Sequence, residues 1–235
     1  MTPTQSVWIF EDEPAVGQLL VDLLSAEGFA ARVCSTIDPP EPRAPALAVL
    51  DLRMATGRGM RLADALARVR SVPGGERVPA LVMTGDLLMV RELGRELSEL
   101  PNVAILPKPF QLDGMLDMTR AMVRLAAGGR EQVLLADVAV LLADAAGRYI
   151  GANARALALL GYSIDELRSM SVADVMDLAP ERTQHEWDRY RAERSWQGRA
   201  TLRRADGGSV TALVTAAIVE SGDETLHVAW LRPEG

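Results

Sequence analysis

Several residues in the first 110 positions have the types and placement to do chemistry. Glu11, Asp12 and Glu13 stand together after the apolar run Val7-Trp8-Ile9-Phe10. Asp51 follows Leu47-Ala-Val-Leu50, Thr84 follows Ala80-Leu-Val-Met83, and Lys108 follows Val103-Ala-Ile-Leu106 and one proline. Carboxylates without His or Cys beside them suit a hard, oxygen-seeking cation such as Mg²⁺. A carboxylate is also a nucleophile towards phosphorus, giving an aspartyl-phosphate. That reaction needs a metal to offset charge and donors for the remaining phosphoryl oxygens. The Thr84 hydroxyl and the Lys108 ammonium are such donors. Of the 25 basic residues, 24 are arginine and Lys108 is the one lysine. A position that keeps Lys in such a chain points to a need for a compact charge rather than a planar fork. Each residue alone has a plainer reading. Acids before Pro14 favour a helix N-terminus, an Asp after a strand often caps or turns, and Thr84 could cap a helix. Four such residues at four strand ends argue for the shared site.

The elements that must place them alternate. Strands are expected at 7–10, 29–33, 47–50, 80–83 and 103–106, and helices at 14–27, 61–70, 87–100 and 112–126. The proline-rich stretch 38–45 must be loop. This pattern predicts an α/β fold, a doubly wound five-stranded parallel sheet in the flavodoxin-like order 2-1-3-4-5. In such a sheet, ligands bind beyond the carboxyl ends of the strands, where all of these residues fall.

The blocks Phe10-Glu-Asp-Glu-Pro14, Val49-Leu-Asp-Leu-Arg-Met54, Val82-Met-Thr-Gly-Asp86 and Leu106-Pro-Lys-Pro-Phe110 resemble the receiver domain of two-component response regulators. The resemblance covers about residues 5–126. It implies that Asp51 accepts a phosphoryl group from a histidine kinase or a phosphotransfer protein. It implies that Glu11, Asp12, Asp51 and the backbone carbonyl of Arg53 hold Mg²⁺, that Thr84 and Lys108 bind the phosphoryl oxygens, and that the Lys108–Pro109 bond is cis. Glu11 stands where many receivers have Asp, Ala55 replaces a frequent Pro, and Ile105 replaces an aromatic ring that takes part in switching. Ile105 is therefore expected to be an ordinary core residue. The surface of 87–100 and 112–124 is expected to meet a partner, a second copy or the other half of the chain.

At Ala127-Gly-Gly-Arg130 the pattern changes, which divides the chain into 1–126, a linker at 127–131, and 132–235. A hairpin is expected around Asp144-Ala-Ala-Gly147, a helix at 154–160 capped by Asn153 and ended by Gly161, and a capping box at Ser163 and Glu166. A helix at 181–193 and strands at 196–203, 210–219 and 226–231 follow, the last two parted by Ser221-Gly-Asp223. This half is α+β with an antiparallel sheet. Asp144-Ala-Ala-Gly-Arg-Tyr-Ile-Gly-Ala-Asn153, Leu160-Gly-Tyr162 and Arg203-Arg-Ala-Asp-Gly-Gly208 resemble a PAS domain over about 132–233. That resemblance implies a sensor, a dimerisation surface or both, with the ligand unknown. No Cys follows residue 34, which excludes flavin–thiol photochemistry here. His185 is expected to be exposed, His227 to be a surface or packing residue, Trp187, Trp196 and Trp230 to be core or interface aromatics, and Arg189, Arg191 and Arg194 to form a solvated face.

Composition sets the outer limits. Net charge is −7, carried as −3 on residues 1–125 and −4 on 126–235, without the basic excess of a nucleic-acid binder. The single Cys34 rules out an internal disulfide. No signal peptide or membrane span is evident, so a cytoplasmic location is expected. The chain ends at Arg232-Pro-Glu-Gly235 without an output segment, which fits signalling through protein contacts or a piece of a longer protein. The expected function is a response regulator that catalyses only its own phosphorylation and dephosphorylation, and a homodimer is compatible with it. The alternative is a PAS module that senses a small ligand, with the first half as scaffold.

Overall fold

A computed structural model of the chain describes residues 5–221 and 224–234. β1 (Ser6–Phe10) leads into α1 (Pro14–Ala26), then β2 (Ala30–Cys34) and, across the proline-rich loop, β3 (Leu47–Asp51). α2 (Leu52–Ala55) and a 3-10 turn (Gly57–Gly59) precede α3 (Leu62–Val69), β4 (Ala80–Thr84), α4 (Leu87–Glu92), α5 (Gly94–Glu99), β5 (Val103–Pro107) and α6 (Leu112–Gly128). The strands form one parallel sheet in the order β2-β1-β3-β4-β5, as the pattern predicts. β3 and β4 are buried along their whole length because helices cover both faces.

The helix expected over 87–100 is two. It breaks at Leu93, just before Gly94, a residue that disfavours helix. α2, a single turn N-capped by the Asp51 side chain, is too short for periodicity to disclose.

The second half opens with α7 (Arg130–Val133), β6 (Ala139–Ala143), β7 (Tyr149–Ala152), α8 (Ala154–Leu160), α9 (Ile164–Arg168), α10 (Val172–Val175) and α11 (Pro180–Glu193). β8 (Ser195–Arg203), β9 (Ser209–Ser221) and β10 (Glu224–Pro233) complete an antiparallel sheet ordered β7-β6-β10-β9-β8. In the expected turn at 221–223, Gly222 and Asp223 lie outside the described residues. Asn153 is the local organiser. Its Oδ1 accepts from the N–H of Ala156, capping α8, and of Val140 in β6, both at 3.0 Å. Its Nδ2 donates to the carbonyls of Ala136 and Val138. Gly161 ends α8 in the left-handed region, and Ser163 and Glu166 form the expected capping box.

The two sheets share a hydrophobic core through α6. Residues 114–119 of this helix are all buried, so every face of it is covered. Met115, Met118 and Met122 join a cluster that runs from Val7 and Ile9 in the first sheet to Ala217, Val228 and Trp230 in the second. Of the partners left open for the surface of 87–100 and 112–124, the chain's own second half meets part of it, while Leu88 and Leu112 stay exposed. The N–H of Asn102 donates to the carbonyl of Glu220 at 2.6 Å, and Arg91 pairs with Glu193 at 2.5 Å.

Gly114 sets how close α6 comes to β9. A Cβ there would lie 2.6 Å from Oγ1 of Thr215, inside contact distance. Gly114→Ala is expected to cost about 1 kcal/mol, because overpacking of about 1–3 kcal/mol outweighs a helix-propensity gain of about 0.8–1 kcal/mol. In a Thr215→Ala background the same change should stabilise the protein. Urea titration of the four proteins checks this, and an unchanged sign across the backgrounds would disprove the close contact.

Candidate functional site

The carboxyl ends of β1, β3, β4 and β5 meet at one edge of the parallel sheet. Glu11 follows β1, Asp51 ends β3, Thr84 ends β4, and Lys108 follows β5. The sheet brings three of these side chains into contact. Nζ of Lys108 donates to Oε2 of Glu11 and to Oδ2 of Asp51, each at 2.8 Å. The carboxylates are buried, their side chains 2% and 7% exposed, whereas the Lys108 side chain is 27% exposed and opens to solvent. The other carboxylate oxygens are used locally. Oδ1 of Asp51 accepts from the N–H of Met54 at 3.0 Å, and Oε1 of Glu11 accepts from the N–H of Glu13 at 3.1 Å. A single ammonium thus faces two buried carboxylates, and the trio carries one net negative charge. Burial pulls the Lys108 pKa down. The hydrogen bonds and charges of Asp51 and Glu11 outweigh it, and the net direction is up. Lys108 is therefore firmly protonated at neutral pH.

The remaining candidates stand apart from this contact. Asp12 and Glu13 are exposed, as is Arg53 in α2. Thr84 is buried at the edge, and its Oγ1 accepts from the N–H of Asp86 at 2.9 Å. It does not cap α4, whose cap is Asp86. The N–H of Lys108 donates to the carbonyl of Thr84 at 2.6 Å, which ties the last two strand ends together. The Lys108–Pro109 bond is cis. Ile105 is a core residue, 1% exposed. Among the described residues, no three His, Cys, Asp or Glu side chains are grouped closely enough to hold a metal between them. Two carboxylates with waters are an ordinary protein share for Mg²⁺, so the donor set of Glu11 and Asp51 fits that ion.

The second half holds a cavity of about 610 Å³ between its sheet and the helices α10 and α11. Tyr149, Trp187, Tyr190, Trp196 and His227 are in its wall. His227 is buried, not on the surface. Its Nδ1 lies 3.1 Å from the Tyr190 hydroxyl, and its ring stacks on Trp187 with centroids 5.0 Å apart. Burial, then the charges of Arg191 and Arg194, push its pKa down to about 4. Burial pushes that of Tyr190 up. Trp187 and Tyr190, three residues apart on α11, share a face, a signal the sequence did carry.

One expectation fails here. Arg194 is not on a solvated face with Arg189 and Arg191. It leaves α11 in the left-handed region at φ 58°, is 7% exposed, and pairs with Glu220 at 2.7 Å. The three arginines look alike in the sequence because the burial of Arg194, just past the end of α11 at Glu193, depends on Glu220 in β9, a contact that no local pattern carries.

Residues 128–232 match the family model of the PAS fold. No curated protein matches the chain. Similar solved structures include a PAS domain from a two-component sensor histidine kinase, at 15% identity and TM-score 0.39, covering 44% of this chain and 91% of that one. A PAS domain of a protein from Desulfitobacterium hafniense is 20% identical, with TM-score 0.37 and coverage of 45% and 100%. The PAS domain of an HTR-like protein from Haloarcula marismortui is 16% identical, with TM-score 0.38 and coverage of 61% and 99%. Among the described residues, no helix is long and apolar enough to cross a membrane.

Proposed function

We propose, for a chain whose residues 128–232 form a PAS domain, that the first half is a receiver and that the whole is a phosphorylation-controlled signalling protein. The observation that carries this reading is Lys108 bridging Asp51 and Glu11 at the carboxyl edge of a parallel sheet ordered β2-β1-β3-β4-β5. Asp51 is the nucleophile. A carboxylate oxygen forms the new O–P bond, and the bond from phosphorus to the donor's nitrogen or oxygen breaks, so that the donor leaves with its electron pair. Lys108 releases Asp51 and turns to the transferred phosphoryl oxygens, keeping Glu11 as its second partner. Thr84 supplies a further hydroxyl after exchanging its present contact with Asp86. Glu11 and Asp51 would hold Mg²⁺ together with waters, and Asp12 and the Arg53 carbonyl, which stand apart from them here, would complete the set; when bound, the ion offsets charge on the incoming group. The donor is a histidine kinase or a phosphotransfer protein. The signal then passes to the second half through α4 and the turn before β5, whose contacts Arg91–Glu193 and Asn102–Glu220 lie across the seam.

Acetyl phosphate with Mg²⁺ is expected to add the mass of one phosphoryl group per chain, with modification mapped to the peptide holding Asp51 and suppressed by chelator. Absence of uptake would refute the reading. A second reading rests on the cavity of about 610 Å³, which is within the usual range of about 300–1,000 Å³ for small-molecule sites. In that reading the PAS half senses a ligand and the first half is a scaffold. Unmodified Asp51 together with a small molecule carried through purification would favour it.

A further inference from the structure

A second cavity, of about 280 Å³, opens where α6, the segment after α7 and β10 meet. It is separate from the edge that holds Lys108, since Arg124 lies about 18 Å along the α6 axis from Leu112. Arg120, Arg124, Arg232, Asp117 and Asp137 form its polar wall, and Trp230 closes it from the second sheet. Two donors in this wall are idle. Nε1 of Trp230, a residue 2% exposed, and Nη1 of Arg124 are buried without a hydrogen-bond partner among the described residues. Neither group can accept a hydrogen bond, so only an acceptor can satisfy them.

The acids nearby are already engaged. Oδ2 of Asp117 accepts from Arg232 through Nη2 at 2.8 Å and Nε at 3.2 Å, and its Oδ1 lies 3.6 Å from Arg120. Arg120 also reaches Glu27. Asp137 turns its carboxylate fully to solvent, 3.6 Å from Arg155. Arg124 is left without an ion-pair partner among the described residues, beside a second idle donor.

We propose that this seam cavity binds a small organic anion. A carboxylate or phosphate oxygen accepts from Arg124 Nη1 and Trp230 Nε1 once the atoms that now cover both nitrogens turn aside, and a short apolar body rests on Val133, Ala136 and Val138. Guanidinium and indole N–H groups together make an oxyanion seat, and the volume limits the guest to a small metabolite. The guest touches α6 on one side and β10 on the other, so binding favours the docked arrangement of the two sheets. This inference does not depend on the phosphoacceptor reading.

The test uses the full chain in metal-free, phosphate-free buffer, titrated calorimetrically with hexanoate, inorganic phosphate and hexylammonium. Hexanoate or phosphate should bind and raise the melting temperature, with the better of the two naming the head group, and hexylammonium should do neither. Trp230→Phe and Arg124→Gln should each weaken the anion by roughly tenfold or more, while Asp51→Asn should leave it unchanged. If Trp230→Phe does not fold, Arg124→Gln decides alone. No anion binding at millimolar concentration would mean that only water occupies the cavity and would overturn the proposal. Binding indifferent to Arg124→Gln would overturn it equally.

Discussion

Asp51→Asn protein is expected to take up no phosphoryl group from acetyl phosphate under conditions that fully label the wild type. The amide lacks the anionic oxygen that attacks phosphorus, while its carbonyl can still accept from Met54 and cap α2. Folding should therefore persist, and intact mass reads the chemistry alone. Full labelling of this variant would remove Asp51 from the mechanism. Lys108→Met tests the same site from the other side. It leaves Glu11 and Asp51 buried without their shared ammonium, and breaking such a pair costs about 3–5 kcal/mol. Phosphoryl uptake should fall by about 10²–10³-fold, the usual effect of losing one donor to a developing anion. Unchanged uptake in a folded Lys108→Met protein would reject the role of the ammonium.

The protein is expected to lose about 3 kcal/mol of stability between pH 6.5 and pH 4 through His227 alone. In the folded state its pKa is pushed down to about 4 by burial and by Arg191 and Arg194, opposed by Glu220 and Asp144. The unfolded chain restores the ordinary value of about 6.5. Between these limits the unfolded state binds the extra proton, so stability falls as pH drops. The contribution is complete above pH 6.5 and is gone below about pH 4. Denaturant titrations at several pH values check the slope. His227→Gln keeps a hydrogen-bonding partner for the Tyr190 hydroxyl but does not titrate. It should remove that part of the acid loss, and an unaltered profile would show that His227 does not carry it.

Much of the site was legible because strand ends declare themselves locally. Three short apolar runs finish at a polar residue and a fourth reaches one across a single proline, and the winding rules of parallel sheets then bring those ends to one edge. The singular lysine marked its own position. Its bond to both Glu11 and Asp51, 97 and 57 residues away, was a consequence of that geometry. The caps at Asn153 and Ser163 were equally local, since a side chain reaching three residues onward needs no tertiary information. Arg194 was misread for the converse reason, because its burial depends on Glu220 in a distant strand.

The sequence by itself determined the two sheets, the polar residues at the carboxyl edge and the local caps, because these follow from periodicity, chain connectivity and contacts a few residues long. Tertiary structure alone decided that α6 is covered on every face, that Gly114 admits Thr215, and that His227 is enclosed by Trp187 and Tyr190. It also decided that Arg124 and Trp230 converge on one cavity. Each of these depends on which surfaces meet after the chain has folded back across about a hundred residues. Hydrophobic burial, being non-directional, favours such a meeting without specifying its register in any local pattern.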